Sequence, residues 1–165
     1  MTGKTRLTAL IALLGLTLAT APASAADAPL LNHFLVGISV KNLEAETSWY
    51  VDRLGFKLAK EMSVANGRII FRWLTQGNER IELVYSATAA DAAPVRGKPL
   101  AHVALHGLAH FTLETDDLEA TRKALIAKGV TLAVDVTEVK DLGIKAIYIT
   151  DPEGNAIEIV QRVKR

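Results

Sequence analysis

Two glutamates and one histidine occupy positions at which their side chains could act together. Glu82 lies in the segment Ile81-Glu82-Leu83-Val84, and Glu158 lies in the closely similar segment Ile157-Glu158-Ile159-Val160. His110 precedes an alternating apolar stretch. Imidazole and carboxylate groups are common carriers of protons near neutral pH. The chain has no cysteine, so any metal ion would also be held by such groups, which favours borderline or hard ions.

The two glutamates belong to an internal repeat. Asn42-Leu43-Glu44-Ala45 recurs as Asp117-Leu118-Glu119-Ala120, and Gly77-Asn78 and Gly154-Asn155 come shortly before the two glutamates. Several matches in one order at nearly one spacing indicate two copies of one structural unit.

Each copy predicts a strand, a helix and three further strands. Asn42 and Asp117 are suitable helix N-caps because their short side chains can accept a free N–H of the first turn. Gly55 and Gly129 are placed to end the helices. Residues 87–107 are rich in alanine and predict a loose linker. The predicted strands are 34–40, 57–63, 68–75 and 79–86 in the first module and 110–115, 131–137, 144–150 and 156–161 in the second.

Strand alternation predicts which side chains share a face. Glu82, His110 and Glu158 alternate with apolar residues, so all three are expected on the face opposite the helix-packing side. One of Arg72 and Trp73 should also lie on that face, and the pattern does not say which. Trp49 and Tyr50 are interpreted as core residues, and the linker histidines His102 and His106 as ordinary polar residues.

The first 25 residues have the form of a secretory signal peptide. Lys4 and Arg6 precede the apolar run Leu7–Leu18, and the small residues Ala23-Ser24-Ala25 follow it. The run is shorter than the roughly 20 residues that span a bilayer. Cleavage would leave residues 26–165 as a periplasmic or secreted protein, and an uncleaved anchor is the alternative. Nineteen basic and eighteen acidic residues argue against nucleic acid as a partner.

The repeat resembles the vicinal oxygen chelate superfamily, which includes glyoxalase I, extradiol dioxygenases and bleomycin-resistance proteins. The resemblance implies an α+β fold in which two βαβββ modules form a cupped, mostly antiparallel eight-stranded sheet with helices on its outer face. The modules would cover about 31–86 and 108–163, paired within one chain or exchanged in a possible homodimer. The segments that carry the resemblance include Val40–Glu44, Leu54–Phe56, Ile81–Tyr85, Gly107–Phe111 and Asp151–Glu158.

The resemblance also implies a metal site built from the first and last strands of each module. Carried over, its positions are Glu82, His110 and Glu158, with Leu35 at the expected fourth position. Leucine cannot bind a metal, so three candidate ligands stand. His33 could replace the fourth ligand if a bulge, for example at Gly37, interrupted the first strand; a straight strand would leave Leu35 in place.

The first functional hypothesis is a glyoxalase-type, metal-binding isomerase or lyase, similar to lactoylglutathione lyase. One divalent ion (Zn, Ni, Mn or Fe) would stabilise an enediolate formed from a small oxygen-chelating substrate, and Glu158 is the candidate catalytic base. The alternative is a metal-free protein of the bleomycin-resistance type that binds or sequesters a small molecule. No membrane partner is expected after cleavage of the signal peptide.

Overall fold

The computed structural model describes residues 32–91 and 97–163. The predicted signal peptide, residues 1–25, lies outside these ranges. The chain divides into two compact units, residues 1–33 and 34–165. Of the first unit, Asn32 and His33 are described, and both are exposed and outside any helix or strand. Within the described ranges, no helix is long and apolar enough to cross a membrane.

The second unit contains the two predicted repeats, each with a strand, a helix and three more strands. The first repeat comprises β1 (Val36–Val40), α1 (Leu43–Trp49), a π-helical turn (Tyr50–Leu54), β2 (Lys57–Val64), β3 (Ile69–Gln76) and β4 (Glu79–Ser86). The second comprises a 3-10 helix (Ala101–Ala104), β5 (Phe111–Glu114), α2 (Leu118–Ala127), β6 (Leu132–Val139), a 3-10 turn (Lys140–Leu142), β7 (Ile144–Thr150) and β8 (Ala156–Arg162). The strands begin and end within two residues of the predicted limits.

The eight strands form two sheets of four, in the orders β1-β4-β3-β2 and β5-β8-β7-β6. The β1–β4 and β5–β8 pairs are parallel and the other pairs are antiparallel. The mostly antiparallel α+β fold is therefore confirmed. The strands are divided between two hydrogen-bonded sheets because each module completes its own ladder.

The predicted caps hold both helices in place. The Asn42 side chain accepts a hydrogen bond from the Ala45 amide at 3.1 Å, and that of Asp117 accepts one from the Ala120 amide at 2.8 Å. Gly55 ends the first helical segment with φ +81°, a left-handed conformation that favours glycine. The caps fix where each chain segment turns from its first strand into its helix.

One hydrophobic core is shared by both modules. Tyr50 and Phe56 from the first module and Ile157 from the second are almost fully inaccessible to solvent. The core cluster contains Ile38, Val40, Leu43, Tyr50, Phe56, Leu74, Ile81 and Leu83 from the first module and Leu118, Leu125, Val130, Ile147, Ile149, Ile157 and Ile159 from the second. Neither module would bury its sheet alone, and the shared core explains why the chain carries both copies.

The turn between β7 and β8 also joins the modules. The Tyr50 hydroxyl donates a hydrogen bond of 3.1 Å to Asp151, and the Glu153 backbone N–H donates one of 2.9 Å to Glu46. The Glu153 carboxylate accepts the backbone N–H groups of Lys41 and Asn42. The two modules therefore contact each other within a single chain.

We call this contact between the modules, formed by Glu46, Tyr50, Asp151 and Glu153, the joint. It contains two buried acids. Glu46 is 0% exposed and Asp151 is 4% exposed. Burial, with smaller contributions from the neighbouring carboxylates of Asp151 and Glu153, raises the pKa of Glu46 from its ordinary 4.5 to about 8. Burial also raises the pKa of Asp151. The joint therefore raises the pKa of both acids, and Glu46 favours its protonated form near neutral pH.

Candidate active site

The first strands of the two modules begin at equivalent positions. Leu35 directly precedes β1, as His110 directly precedes β5. The parallel register of β1 with β4 runs unbroken from Val36 opposite Ile81 to Val40 opposite Tyr85. A bulge at Gly37 is therefore wrong, because no residue of this ladder is left unpaired. Leu35 occupies the position that matches His110.

The second module brings His110 and Glu158 together. Their side chains are 24% and 14% exposed, and His110 Nε2 lies 3.5 Å from Glu158 Oε2. In the sheet, Glu158 pairs with Thr112 on one side and Tyr148 on the other. Because Ile157 and Ile159 on the same strand are buried in the core, Glu158 lies on the opposite face of the sheet. We call this the site face.

The Glu158 carboxylate is held by two hydroxyl groups. Tyr148 donates a hydrogen bond of 2.6 Å to Oε1, and Thr112 donates one of 2.8 Å to Oε2. Burial is the largest cause of a raised pKa at Tyr148, and its hydrogen bond to Glu158 adds to it. The hydroxyl therefore stays protonated and keeps the carboxylate oriented toward His110.

A second histidine completes this site from the linker. His102 lies in the 3-10 helix before β5, is 2% exposed, and places its Nε2 2.8 Å from His110 Nδ1. Its ring also meets the Tyr148 ring at a centroid distance of 5.7 Å. The interpretation of His102 as an ordinary polar residue is wrong. The linker has no periodic pattern that could reveal its burial, which depends on packing against distant strands.

The first module presents a related arrangement around Glu82. Trp73 Nε1 donates a hydrogen bond of 2.7 Å to Glu82 Oε1, so Trp73 is the member of the Arg72–Trp73 pair that shares the face of Glu82. Arg72 projects to the helix side, where it contacts Thr47 of α1. Lys60 and Arg80 lie over the Trp73 ring, with Lys60 Nζ 5.4 Å and Arg80 Cζ 5.2 Å from its centroid.

The three sequence-predicted ligands do not form one cluster. In residues 32–91 and 97–163, no three histidine, aspartate or glutamate side chains are grouped so that they could hold a metal ion. His110 and Glu158 are adjacent, whereas Glu82 belongs to the other sheet and is bound to Trp73. Catalytic metal centres usually have three protein ligands. As placed, the described side chains do not form a three-ligand site, and the adjacent donors His110 and Glu158 are the part of such a site that the structure offers.

Comparison with known proteins gives the family. The chain matches the model of the Glyoxalase/Bleomycin resistance protein/Dioxygenase superfamily over residues 30–159. This match covers most of the chain, which therefore belongs to that superfamily. No curated protein sequence matches it significantly.

Solved structures show the same fold. A glyoxalase family protein from Bacillus cereus is 21% identical, with a TM-score of 0.64 over 86% of this chain and 100% of its own. A glyoxalase family protein from Enterococcus faecalis is 22% identical, with a TM-score of 0.61 over 79% of this chain and 96% of its own. A mutant form of glyoxalase I from Zea mays is 21% identical, with a TM-score of 0.60 over 78% of this chain and 44% of its own.

Proposed function

We propose that this protein is an exported glyoxalase-like isomerase or lyase that acts on a small substrate with a hydroxyl and a carbonyl on adjacent carbons. The observation that carries the proposal is the Glu158–His110 pair, 3.5 Å apart and only partly exposed on the site face. Membership of the superfamily and the likeness to maize glyoxalase I support this class of reaction. Fold alone does not define a reaction, so the side chains carry the argument.

In the proposed reaction, Glu158 removes the proton from the carbon that bears the hydroxyl group. The electron pair of that C–H bond forms a C=C bond, and the carbonyl π electrons move to oxygen. The adjacent His110 ring can donate a hydrogen bond to this oxygen and stabilise the negative charge that develops on it. Glu158 then returns the proton to the neighbouring carbon. The electron pair of the hydroxyl O–H bond forms the new C=O bond, and the proton it releases moves to the other oxygen, so substrate and product have the same composition and no external oxidant is needed.

The other groups on the site face support this role for Glu158. The Tyr148 and Thr112 hydroxyls fix the orientation of its carboxylate, so little reorganisation is needed when a substrate binds. A base must lie within hydrogen-bonding reach of the proton it removes. Because the carboxylate is 14% exposed, a small molecule on the site face could reach it.

Metal binding is a separate part of the proposal. A divalent ion would use His110 and Glu158 first, since these donors are already adjacent, and Glu82 would have to move to join them. Export is likewise proposed from the sequence of residues 1–25 and is tested by intact-mass analysis of the secreted form. A chain that starts at Ala26 supports cleavage, and one that retains Met1 in the membrane fraction contradicts it.

A homodimer is proposed for the mature protein. The edge strand β2 is exposed along its whole length and presents Leu58, Met62 and Val64 to solvent. Light scattering during size-exclusion chromatography should give twice the chain mass. A monomer mass across the accessible concentrations would contradict this part of the proposal.

The reaction is tested with the hemithioacetal of methylglyoxal and glutathione, with and without added Zn²⁺ or Ni²⁺. The mature wild type should form the thioester product, and Glu158→Gln should lower kcat by about 100-fold or more because the base is lost. Glu138→Gln is the matched control, since Glu138 is an exposed residue of β6. Turnover that is equal in Glu158→Gln and the wild type would overturn the proposal, as would a wild type with no turnover.

A further inference from the structure

The hydrogen bond between His102 and His110 has one donor ring and one acceptor ring, and the nearby Glu158 carboxylate favours one of the two assignments. A neutral imidazole carries one N–H, so a hydrogen bond between two neutral rings has one donor nitrogen and one acceptor nitrogen. Here the two nitrogens are His102 Nε2 and His110 Nδ1, 2.8 Å apart. The hydrogen in this contact is therefore bonded to one of the two rings. Its position determines whether the other nitrogen of His110, Nε2, carries a hydrogen or presents a lone pair.

The surroundings of His110 Nε2 favour one of the two arrangements. That nitrogen lies 3.5 Å from Glu158 Oε2. If it carries the hydrogen, its N–H dipole attracts the carboxylate; if it presents a lone pair, two electron-rich atoms face each other. Both Glu158 oxygens already accept hydrogen bonds, from Tyr148 and Thr112, so the side chain presents acceptor atoms to His110. The ligand-free site therefore favours His110 with its hydrogen on Nε2.

We infer that His102 is a positioning residue that donates its Nε2–H to Nδ1 of His110 and so keeps the Nε2–H of His110 directed toward Glu158 and a substrate oxygen. The second nitrogen of a histidine commonly sets which ring nitrogen is available for chemistry. Burial of His102 at 2% exposure and the Tyr148 ring 5.7 Å away restrict its movement. The role of His110 in catalysis rests on the proposed function, whereas the position of the hydrogen does not.

The hydrogen bond from His102 to His110 would also oppose metal binding. An ion needs the lone pair of His110 Nε2, and this lone pair becomes available only if the hydrogen between the rings moves to His110 Nδ1. His102 would then accept instead of donating. The same contact thus favours a hydrogen-bond donor in the ligand-free site and makes metal entry depend on a change of tautomer in both rings.

The test is nuclear magnetic resonance of the mature protein labelled with ¹⁵N at histidine. The chain has four histidines, so long-range ¹H–¹⁵N spectra are simple, and a His110→Gln variant assigns the His110 signals. Without substrate or metal at neutral pH, His110 Nδ1 should show the strong downfield ¹⁵N shift of an unprotonated nitrogen. His110 Nε2 should instead show the ¹⁵N shift of a nitrogen that carries a hydrogen. A protonated Nδ1 on His110 would overturn the inference, whatever the catalytic activity.

Variants add a second readout. His102→Leu removes the donor, so His110 should become a mixture of tautomers, and kcat should fall by about tenfold with little change in KM. His102→Gln retains an N–H donor and should restore the wild-type tautomer and most of the activity. His106→Gln, an exposed change in the same linker, should alter neither. A wild-type tautomer in folded His102→Leu would contradict a positioning role; if that variant does not fold, the wild-type and His102→Gln spectra decide.

Discussion

Trp73 and Tyr148 hold equivalent places in the two modules, and each donates a hydrogen bond to the glutamate opposite it on the neighbouring strand. Trp73 reaches Glu82 at 2.7 Å, and Tyr148 reaches Glu158 at 2.6 Å. The register pairs Trp73 with Glu82 and Tyr148 with Glu158. The repeat has thus preserved an aromatic donor for each acid, and the second module adds two histidines to it.

Replacing Tyr148 by Phe should weaken catalysis more than folding. The Glu158 carboxylate would lose one of its two hydroxyl donors and its fixed orientation, so kcat should fall by about tenfold. The free energy of unfolding should fall by only about 1 kcal/mol, the usual effect of one hydrogen bond. Tyr85→Phe, on the core side of β4, is the control for kcat. Unchanged kcat in Tyr148→Phe would show that the hydroxyl does not position the base.

Arg72 should contribute strongly to the stability of the first module. It bonds Glu61 of β2 at 2.7 Å, Glu44 of α1 at 2.5 Å and Thr47 at 3.0 Å, with its side chain 11% exposed. Arg72→Met should lower the free energy of unfolding by about 1–3 kcal/mol, because it removes hydrogen bonds to charged groups. Urea denaturation measures the change.

Arg162→Met is the matched control for this measurement. Arg162 also bonds a glutamate, Glu114, but its side chain is 78% exposed. Solvated ion pairs contribute about 0–1 kcal/mol, so this variant should change the free energy of unfolding little. Equal losses in both variants would contradict the stabilising role assigned to Arg72.

Glu46 should make the fold less stable as pH rises. Its pKa is about 8 in the folded protein and near 4.5 when unfolded, so the folded state binds the proton more tightly between these values. The free energy of unfolding should therefore decrease from about pH 4.5 to pH 8, by at most ~1.4 kcal/mol per pH unit from this group. The raised pKa of Asp151 acts in the same direction.

Glu46→Gln tests this dependence. Glutamine keeps an oxygen to accept the Glu153 N–H and cannot ionise, so the variant should be more stable than the wild type above neutral pH and should lose part of the pH dependence. Glu138→Gln, at an exposed position, should leave the dependence unchanged. Urea denaturation at several pH values measures both, and an unaltered pH slope in Glu46→Gln would contradict this account of the joint.

Metal affinity should depend on Leu35. The wild type should bind Zn²⁺ or Ni²⁺ weakly, because two donors are adjacent and Leu35 offers none. Leu35→His should tighten binding by about tenfold, or ~1.4 kcal/mol, while Glu158→Gln should weaken it. Val64→His adds an imidazole to the exposed strand β2 and serves as the control. Titration calorimetry that shows no binding in the wild type or in Leu35→His would contradict a metal site at these positions.

The repeat made much of the fold predictable. Equivalent segments placed Glu82 and Glu158, and strand alternation put both opposite the core. The sequence could not show which of Arg72 and Trp73 lies on the face of Glu82, because both alternating sets of β3 contain large side chains. The structure distinguishes them by their partners: Arg72 binds Glu44 and Glu61, and Trp73 binds Glu82.

Features that depend on distant contacts were not predictable. His102 is buried because the linker packs against strands that are remote in sequence, and no local pattern reports such packing. The division of the eight strands into two sheets was likewise not predictable, because each strand pairs only within its own module among the described residues, and local patterns do not report whether strands of different modules pair. Local patterns define elements, whereas these contacts form only once the elements assemble.

The most direct measurement of the central claim is the rate at which the substrate C–H bond is broken. The hemithioacetal of methylglyoxal and glutathione is incubated in D₂O, and ¹H nuclear magnetic resonance follows the signal of the hydrogen on the hydroxyl-bearing carbon. Wild-type protein should speed the loss of this signal, and Glu158→Gln should reduce the enzymatic rate by about 100-fold or more. A Glu158→Gln rate equal to that of the wild type, or a wild-type rate equal to that of buffer, would contradict the assignment of Glu158 as the base.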